Sequence, residues 1–408
     1  MFGLTQSLHL PTSQHSLTQI QKSRNSFPCH TYENRARKSF PCHTSKKRVC
    51  KSFACHTFFN LKVRLISELN RRLLPVPFWN ALGIRLSHLN SPCRDTFSAM
   101  KPSLRAAALL ALLTQIASAQ QPPPEKELLL WQKLEATIHD EDRKLDGVLG
   151  VAILDLSTGH TLLLNADEVL PTASSIKIAI LAELYRQAQQ GKLKLTDLYT
   201  LQSSDLVGGS GIANSLTPGV TRLTLRDVAA LMISVSDNSA TNIIIDRVGM
   251  ENVNALLDSL NLSHIRLRRK MMDLKAANEG RENVASPCEM MLLLEALYRG
   301  KVLNKEMTAD FFNLLSIHKE SYIPRELPED LRVANKPGEL EGVRNDSGIV
   351  FTGNRPYVIS VMTTYLRHER EGGDAIVHIS NAAYQMFDRL SRASPYGRVI
   401  SPHDSSAP

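Results

Sequence analysis

From Val148 to Leu156 nearly every residue is apolar, and two further strand signals, Ser347 to Phe351 and Tyr357 to Thr364, stand near the far end of the chain. A continuous apolar run of that length suits a strand covered on both faces. Ser157-Thr158-Gly159 turns the first run into a second strand from His160 to Leu164, and Thr352-Gly353-Asn354-Arg355-Pro356 reads as a hairpin connection. Between these ends the periodicity is helical. Thr224 and Asp227 form a capping-box pattern, with Val228, Leu231, Met232 and Val235 following at i, i+3, i+4 and i+7. More helices are expected after Ser239, Met250, Pro287 and Lys305. An opening helix puts Leu130, Trp131, Leu134 and Ile138 on one face, and a closing helix carries Ile376, Ile379, Ala383, Phe387 and Leu390. Strands, then helices, then strands and a closing helix predict one α+β unit with an inserted helical lobe over residues 120–390. Residues 391–408, rich in Ser and Pro, read as a flexible tail.

The net charge of +8 suggests a polyanionic partner until the charge is located. Residues 1–99 hold 15 Lys+Arg against 3 Asp+Glu, and with Lys101 and Arg105 set aside residues 120–408 carry −6. A mildly acidic folded part excludes nucleic acid as the partner. Within residues 1–99, Ser26 to Thr31 recurs at Ser39 to Thr44 and, with Ala54 for Pro, at Ser52 to Thr57, 13 residues apart each time. The Cys-His pairs in these repeats are adjacent, whereas zinc modules space their ligands so that a loop can wrap the ion. Residues 1–99 therefore read as a non-native or disordered upstream extension. Met100 to Arg105 is a short basic opening, Ala106 to Leu113 is apolar, and Ala117-Ser118-Ala119 offers small residues for cleavage before Gln120. That plan is a secretory signal peptide over residues 100–119. Its apolar run is too short for a bilayer, which needs about 20 residues. The expectation is a periplasmic or secreted protein without a stable membrane span.

Pro171-Thr172-Ala173-Ser174-Ser175-Ile176-Lys177 opens a helix ending near Gly191, with Ile180, Leu181, Leu184 and Ala188 on its buried stripe. Lys177 falls on that same stripe. Burying an ammonium is costly and lowers its pKa, and a neutral amine is what a general base needs near pH 7. Ser174 lies one turn earlier, at a helix N-terminus that favours developing negative charge. Alone, S-x-x-K is weak, since a capping serine and a snorkelling lysine look the same. Ser236-Asp237-Asn238 follows directly after the capped helix, and Lys336-Pro337-Gly338 follows a predicted strand at Leu331 to Asn335. A lysine beside a glycine permits close approach and attracts a carboxylate. The three motifs stand 62 and 100 residues apart, in that order.

In this order the motifs resemble S-x-x-K, S-D-N and K-T-G of class A β-lactamases and penicillin-binding proteins. The likeness runs from about Leu128 to Leu390, and Leu206 to Gly211 and Ser239 to Asn242 fit it as well. It implies a five-stranded antiparallel sheet flanked by helices plus an all-helical lobe, with the site between them. By the same resemblance Ser174 attacks a carbonyl and Lys177 takes its proton. Ser236 relays a proton to the leaving nitrogen, and Asn238 positions substrate and lysine. Lys336 binds a substrate carboxylate, assisted by Arg344, and the backbone N–H groups of Ser174 and Glu339, beside Gly338, form the oxyanion hole.

The chain departs from this pattern in two places. Class A enzymes carry a glutamate in an E-x-x-L-N loop that activates water for deacylation. Aligning Arg266-Leu267 and Leu274 puts Met271 at that glutamate and Lys275 at the asparagine. A thioether cannot take a proton from water, and losing a general base typically costs about 10²–10⁴ in rate. Asp273 is the nearest carboxylate and the candidate substitute, unless it pairs with a nearby arginine. The second departure is Pro337, which lacks both the usual hydroxyl and an N–H. Three readings remain: a β-lactamase-like enzyme with weak turnover, a D,D-peptidase or esterase on the same scaffold, or a sensor module that holds a long-lived acyl adduct. No H-x-H-x-D, H-E-x-x-H or phosphate-loop pattern is present, so no cofactor or metal is expected. The expected partner is a small-molecule substrate, and the expected state a monomer.

Overall fold

The computed structural model describes residues 125–394 and 396–399. The expectations for residues 1–99 and 100–119 lie outside the described residues. The chain enters on α1 (Glu125–Lys144), then forms β1 (Val148–Asp155), β2 (Thr161–Leu164) and the short β3 (Leu170–Pro171). A 3₁₀ turn, Ala173–Ile176, leads into α2 (Lys177–Gln189). The lobe follows as β4 (Leu198–Thr200), β5 (Arg222–Thr224), α3 (Leu225–Ser234), α4 (Asn238–Val248) and α5 (Met250–Ser259). Next come α6 (Leu274–Asn278), β6 (Val284–Ala285), α7 (Pro287–Tyr298) and α8 (Lys305–Leu315). The chain then returns through β7 (Val333–Leu340), β8 (Val343–Val350), β9 (Tyr357–Thr364) and α9 (Glu369–Arg392).

The main sheet has five strands in the order β2-β1-β9-β8-β7, and every neighbouring pair is antiparallel. Its period-two side chains feed two separate cores. Ala152, Leu154, Ile349, Val358 and Met362 pack against α2, α3, α4 and α7. Val151, Ile153, Val350, Tyr357 and Ile359 pack against α1 and α9. Burial on both faces explains why β1 is apolar at successive positions instead of alternating. The two walls on the second face are the expected stripes, with Trp131, Leu134 and Ile138 meeting Ile376, Ile379, Ala383 and Phe387.

Two details differ from expectation. Helix α2 has no solvent face: Lys177 through Tyr185 are all buried, because the helix runs through the middle of the first core. Glu183 is therefore paired inside the protein, with Arg186 at 2.6 Å and Gln187 at 2.7 Å. The strand predicted to end at Asn335 runs to Leu340, so Lys336-Pro337-Gly338 lies within it. Proline is tolerated there because β7 is the sheet edge and one row of its N–H groups has no strand to bond. Within the expected tail, Ala393 and Val399 form an isolated bridge, and residues 400–408 lie outside the described residues. Among the described residues, no helix is long and apolar enough to cross a membrane, and no cluster of potential metal ligands occurs.

Candidate active site

Three backbone segments meet at the N-terminal end of α2, and each is held there by a specific contact. Pro171 brings β3 to the sheet through its carbonyl, which accepts from Asn345 Nδ2 at 2.8 Å. Thr172 donates its N–H to Asn283 O at 2.9 Å, which fixes the approach to the 3₁₀ turn. Ala173 then adopts φ 48°, a left-handed conformation that is costly for a residue with a Cβ. The turn that follows carries Ser174 and ends where α2 begins.

Gly338 lets strand β7 close on that turn. A Cβ at this position would collide with the carbonyl oxygen of Thr172 and stand 3.0 Å from the Ser175 nitrogen. Both neighbours are backbone, so neither can swing aside. The glycine is required by the approach of two main chains, as its place in the motif suggested.

The third segment is Ser236-Asp237-Asn238. Its middle residue is the anchor. Asp237 accepts from Ala240 N at 2.8 Å, capping α4, and its other oxygen accepts from the N–H groups of Ile212 and Ala213, both at 2.7 Å. The carboxylate thus ties the lobe loop to the start of α4. Ser236, one residue earlier, sits at φ 54°. This strained conformation carries its hydroxyl towards Ser174 while its carbonyl faces Lys177.

Lys177 is the centre of the assembly and is fully buried. Its Nζ lies 3.0 Å from Ser174 Oγ, 2.9 Å from Ser236 Oγ, 2.7 Å from Ser236 O and 3.2 Å from Asn238 Oδ1. An ammonium has three hydrogens for these four neighbours, whereas a neutral amine can donate two and accept one. Burial, and after it the charge of Lys336, holds Lys177 well below the usual lysine range, with Asp237 opposing. The self-consistent pattern has the neutral amine donating to Ser236 O and Asn238 Oδ1 and accepting from the Ser174 hydroxyl. Ser236 donates to Ser174 Oγ at 2.9 Å, and Lys336 Nζ donates to Ser236 Oγ at 3.1 Å and to Pro337 O at 3.0 Å. The five groups form one continuous hydrogen-bonded chain from Lys336 to Ser174.

Pro337 also orients the edge strand. It has no N–H to give to β8, so the 337 position belongs to the row of amides that faces away from the sheet. Backbone direction repeats every two residues, which puts the N–H of Glu339 on that same outward row, beside the 3₁₀ turn of Ser174. The Glu339 side chain is turned elsewhere and accepts from Tyr322 Oη at 2.6 Å.

Two expected participants are elsewhere. Arg344 pairs with Glu339 across the β7–β8 register, whereas Lys336 pairs with Ser347. Partners across an antiparallel pair share a face, so the odd separation of 344 from 347 turns Arg344 away from the face of Lys336. Its guanidinium is engaged with Glu369 at 2.8 Å and with the carbonyls of Leu340 and Val343, both at 2.7 Å. Asp273 is exposed and caps α6 by accepting from Ala276 N at 2.9 Å. It neither joins the lysine cluster nor pairs with an arginine among the described contacts. Met271 is buried in the first core, and its backbone is clamped by Asn242, which accepts its N–H at 2.8 Å and donates to its carbonyl at 3.1 Å. Asn242 lies one turn beyond Asn238 on α4, so the clamp ties the Met271 backbone to the helix that carries Asn238.

The Beta-lactamase enzyme family model matches residues 130–387, from α1 to the last turns of α9. The chain belongs to that family. Among its relatives, β-lactamase SME-1 of Serratia marcescens is 30% identical over 256 residues, covering 60% of this chain and 86% of the relative. The crystal structure of a β-lactamase from Sphaerobacter thermophilus is 34% identical with a TM-score of 0.59, over 63% of this chain and 97% of that one. A PBP-A variant solved as an acyl-enzyme complex with penicillin G is 25% identical with a TM-score of 0.58, over 66% of this chain and all of that one. Ancestral class A β-lactamase structures share the same α+β architecture.

Sequence reasoning missed the Asn242 clamp and the anchoring role of Asp237. Asp237 carried a visible signal, an acidic residue directly before a helical run, but that pattern points to a cap and not to the second loop it also holds. The clamp had no local signal, because its two ends are 29 residues apart.

Proposed function

We propose that this protein is an exported serine hydrolase that is acylated at Ser174 by β-lactams or related amides and releases the acyl product slowly. The observation that carries the reading is the fully buried Lys177 amine, 3.0 Å from Ser174 Oγ, in a site whose burial holds the amine well below the usual lysine range. As Ser174 Oγ bonds to the substrate carbonyl carbon, its proton passes to Lys177. The outward N–H of Glu339 and that of Ser174 receive the developing oxyanion. When the C–N bond breaks, Ser236 gives its proton to the leaving nitrogen and is reprotonated from Lys177, so both lysines end in their starting states. Lys336 supplies the positive charge for a substrate carboxylate, without help from Arg344 or a hydroxyl at 337.

Deacylation adds one water across the ester, and that water needs a base. Met271 offers none, and Asp273 is occupied as a cap. This favours slow release, and it gives substance to the second reading, a peptidase or esterase of the same scaffold. Penicillin G is the apt probe, since the related PBP-A variant forms an acyl-enzyme with it.

One measurement tests export and acylation together. The chain expressed from Met100 in a bacterium is expected to yield a periplasmic protein beginning at Gln120, read by intact mass. Adding penicillin G is expected to give a one-to-one adduct that persists, and Ser174→Ala is expected to abolish it while leaving the fold unchanged by circular dichroism. Rapid adduct turnover would overturn slow release, and labelling that survives in the mutant would overturn the nucleophile.

A further inference from the structure

Met272 and Asn238 meet across one glycine of the lobe. A side chain at Gly209 would come within 2.6 Å of Asn238 Nδ2 and within 3.1 Å of Met272 Sδ. The carboxamide whose oxygen touches Lys177 and the thioether of Met272 therefore flank the same backbone position. The contact extends to Gly208, whose carbonyl accepts from Asn238 Nδ2 at 3.2 Å and where a Cβ would stand 4.0 Å from Met272 Cε. Asn238 is 8% exposed and Met272 is 40% exposed, so the thioether is the more outward of the two.

Both sides of this contact are fixed by the head of α4. The two glycines lie between Val207, whose N–H donates to Ser239 Oγ at 2.9 Å, and Ser210, whose carbonyl accepts from Asn238 N at 3.0 Å. On the other side, Asn242 grips the backbone of Met271. Met272 itself adopts φ 63°. It is the third residue of a turn that Asp273 N closes by donating to Lys270 O at 3.4 Å, a place where a positive φ ordinarily calls for Gly or Asn. A methionine there is costly, and such strain persists only where the surroundings hold it.

We propose that Met272 is a specificity-determining residue whose side chain walls off the space beside Asn238 and limits the bulk of the acyl group. The inference rests on the serine-hydrolase reading and deepens it. Lys336 touches the cluster at Ser236, whereas Asn238 touches it at Lys177. With the carboxylate of the leaving portion on Lys336, the portion that stays on Ser174 extends on the Asn238 side and meets the thioether. A flexible apolar side chain admits a slender acyl group and resists one that is branched next to its carbonyl. The substrates selected are therefore amides or esters with an unbranched acyl group.

The test is the rate of Ser174 acylation, followed by intact mass, in the parent, Met272→Gly and Met272→Leu. The probes are the bare penicillin nucleus with a free amine, a penicillin with a 2,6-dimethoxybenzoyl side chain, and the p-nitrophenyl esters of acetic and diphenylacetic acid. Met272→Gly is expected to stay folded, since glycine accepts φ 63° without strain. It is expected to acylate about tenfold faster with each bulky probe and within about twofold of the parent with each small one. Met272→Leu keeps the volume and is expected to match the parent on all four.

An unchanged ratio of bulky to small rates in Met272→Gly overturns the proposal. So does an equal gain in Met272→Leu, which would mean that the bulk at 272 is not the barrier. If the ester pair responds as expected while neither penicillin labels Ser174, the wall stands and the β-lactam reading falls. A parent that none of the four probes acylates overturns both.

Discussion

Lys336 is held inside the protein against its own solvation, and the cost should appear in stability. Its pKa is about 7 when folded, whereas an unfolded lysine titrates near 10.5. Between these values the unfolded chain binds a proton that the folded chain lacks, so stability rises with pH across that window. Below pH 7 both states are charged and the full cost of burial is present. Lys336→Met is therefore expected to melt several degrees higher than the parent at pH 6, with the gap closing towards pH 10, by calorimetry across that range. The same variant is expected to lose affinity for carboxylate-bearing substrates, so stability and function move in opposite directions. At this scale much was legible. Ser174, Lys177, Ser236, Asn238 and Lys336 could be picked out because catalysis restricts residue type, and a lysine on an apolar helix stripe is conspicuous. The fate of Arg344 was hidden, since which face it takes depends on a strand register that the local sequence does not specify.

The segment from Arg266 to Asn283 contains only the short helix α6 and is held chiefly by side-chain pairs. Arg269 pairs with Glu282 at 2.8 Å, Lys270 with Asp246 at 2.6 Å, and Arg266 with Asp258 at 2.5 Å. Asn283 accepts the N–H of Arg268 at 2.7 Å and of Arg269 at 3.0 Å, while its carbonyl holds Thr172 beside the nucleophile. With Asn242 gripping Met271 from α4, the loop is bound at both ends and in the middle. What it lacks is a base. Met271→Glu is expected to shorten the penicillin adduct's lifetime by about 10²-fold, because the backbone there is bonded to Asn242, one helical turn from the Asn238 that touches Lys177. A drop of several degrees in melting temperature should accompany it, since the carboxylate replaces a buried thioether. An adduct lifetime unchanged in a folded Met271→Glu protein would show that the side chain at 271 does not face the ester. Helices α3, α7 and α9 were legible in advance from caps and stripes. This loop was not, because its order comes from pairs of charges and amides distant in sequence.

In the whole molecule, the sheet separates chemistry from support. The core that includes α2 reaches the serine–lysine cluster, whereas the core under α1 and α9 does not contribute a residue to it. The second core is closed by aromatic contacts: Phe387 stacks on Tyr357 at 4.1 Å and 7°, and meets the Trp131 ring edge-on at 5.5 Å. Arg355 fastens the same region from outside, bridging Glu127 of α1 at 2.5 Å and Asp155 at the end of β1 at 2.6 Å. The alternation of strands and helices predicted that two faces would be covered, but not that they would divide the labour in this way. Phe387→Ala is expected to destabilise the protein by about 3–5 kcal/mol, the usual effect of emptying an aromatic site in a packed core. Each folded molecule is still expected to accept penicillin G at Ser174 at the parental rate, because β7, the 3₁₀ turn and the Asp237 anchor are untouched. Chemical denaturation and timed mass spectrometry on the same sample measure the two quantities separately. A fall in acylation rate beyond the loss of folded protein would mean that the supporting core also sets the distance between Lys177 and Ser174.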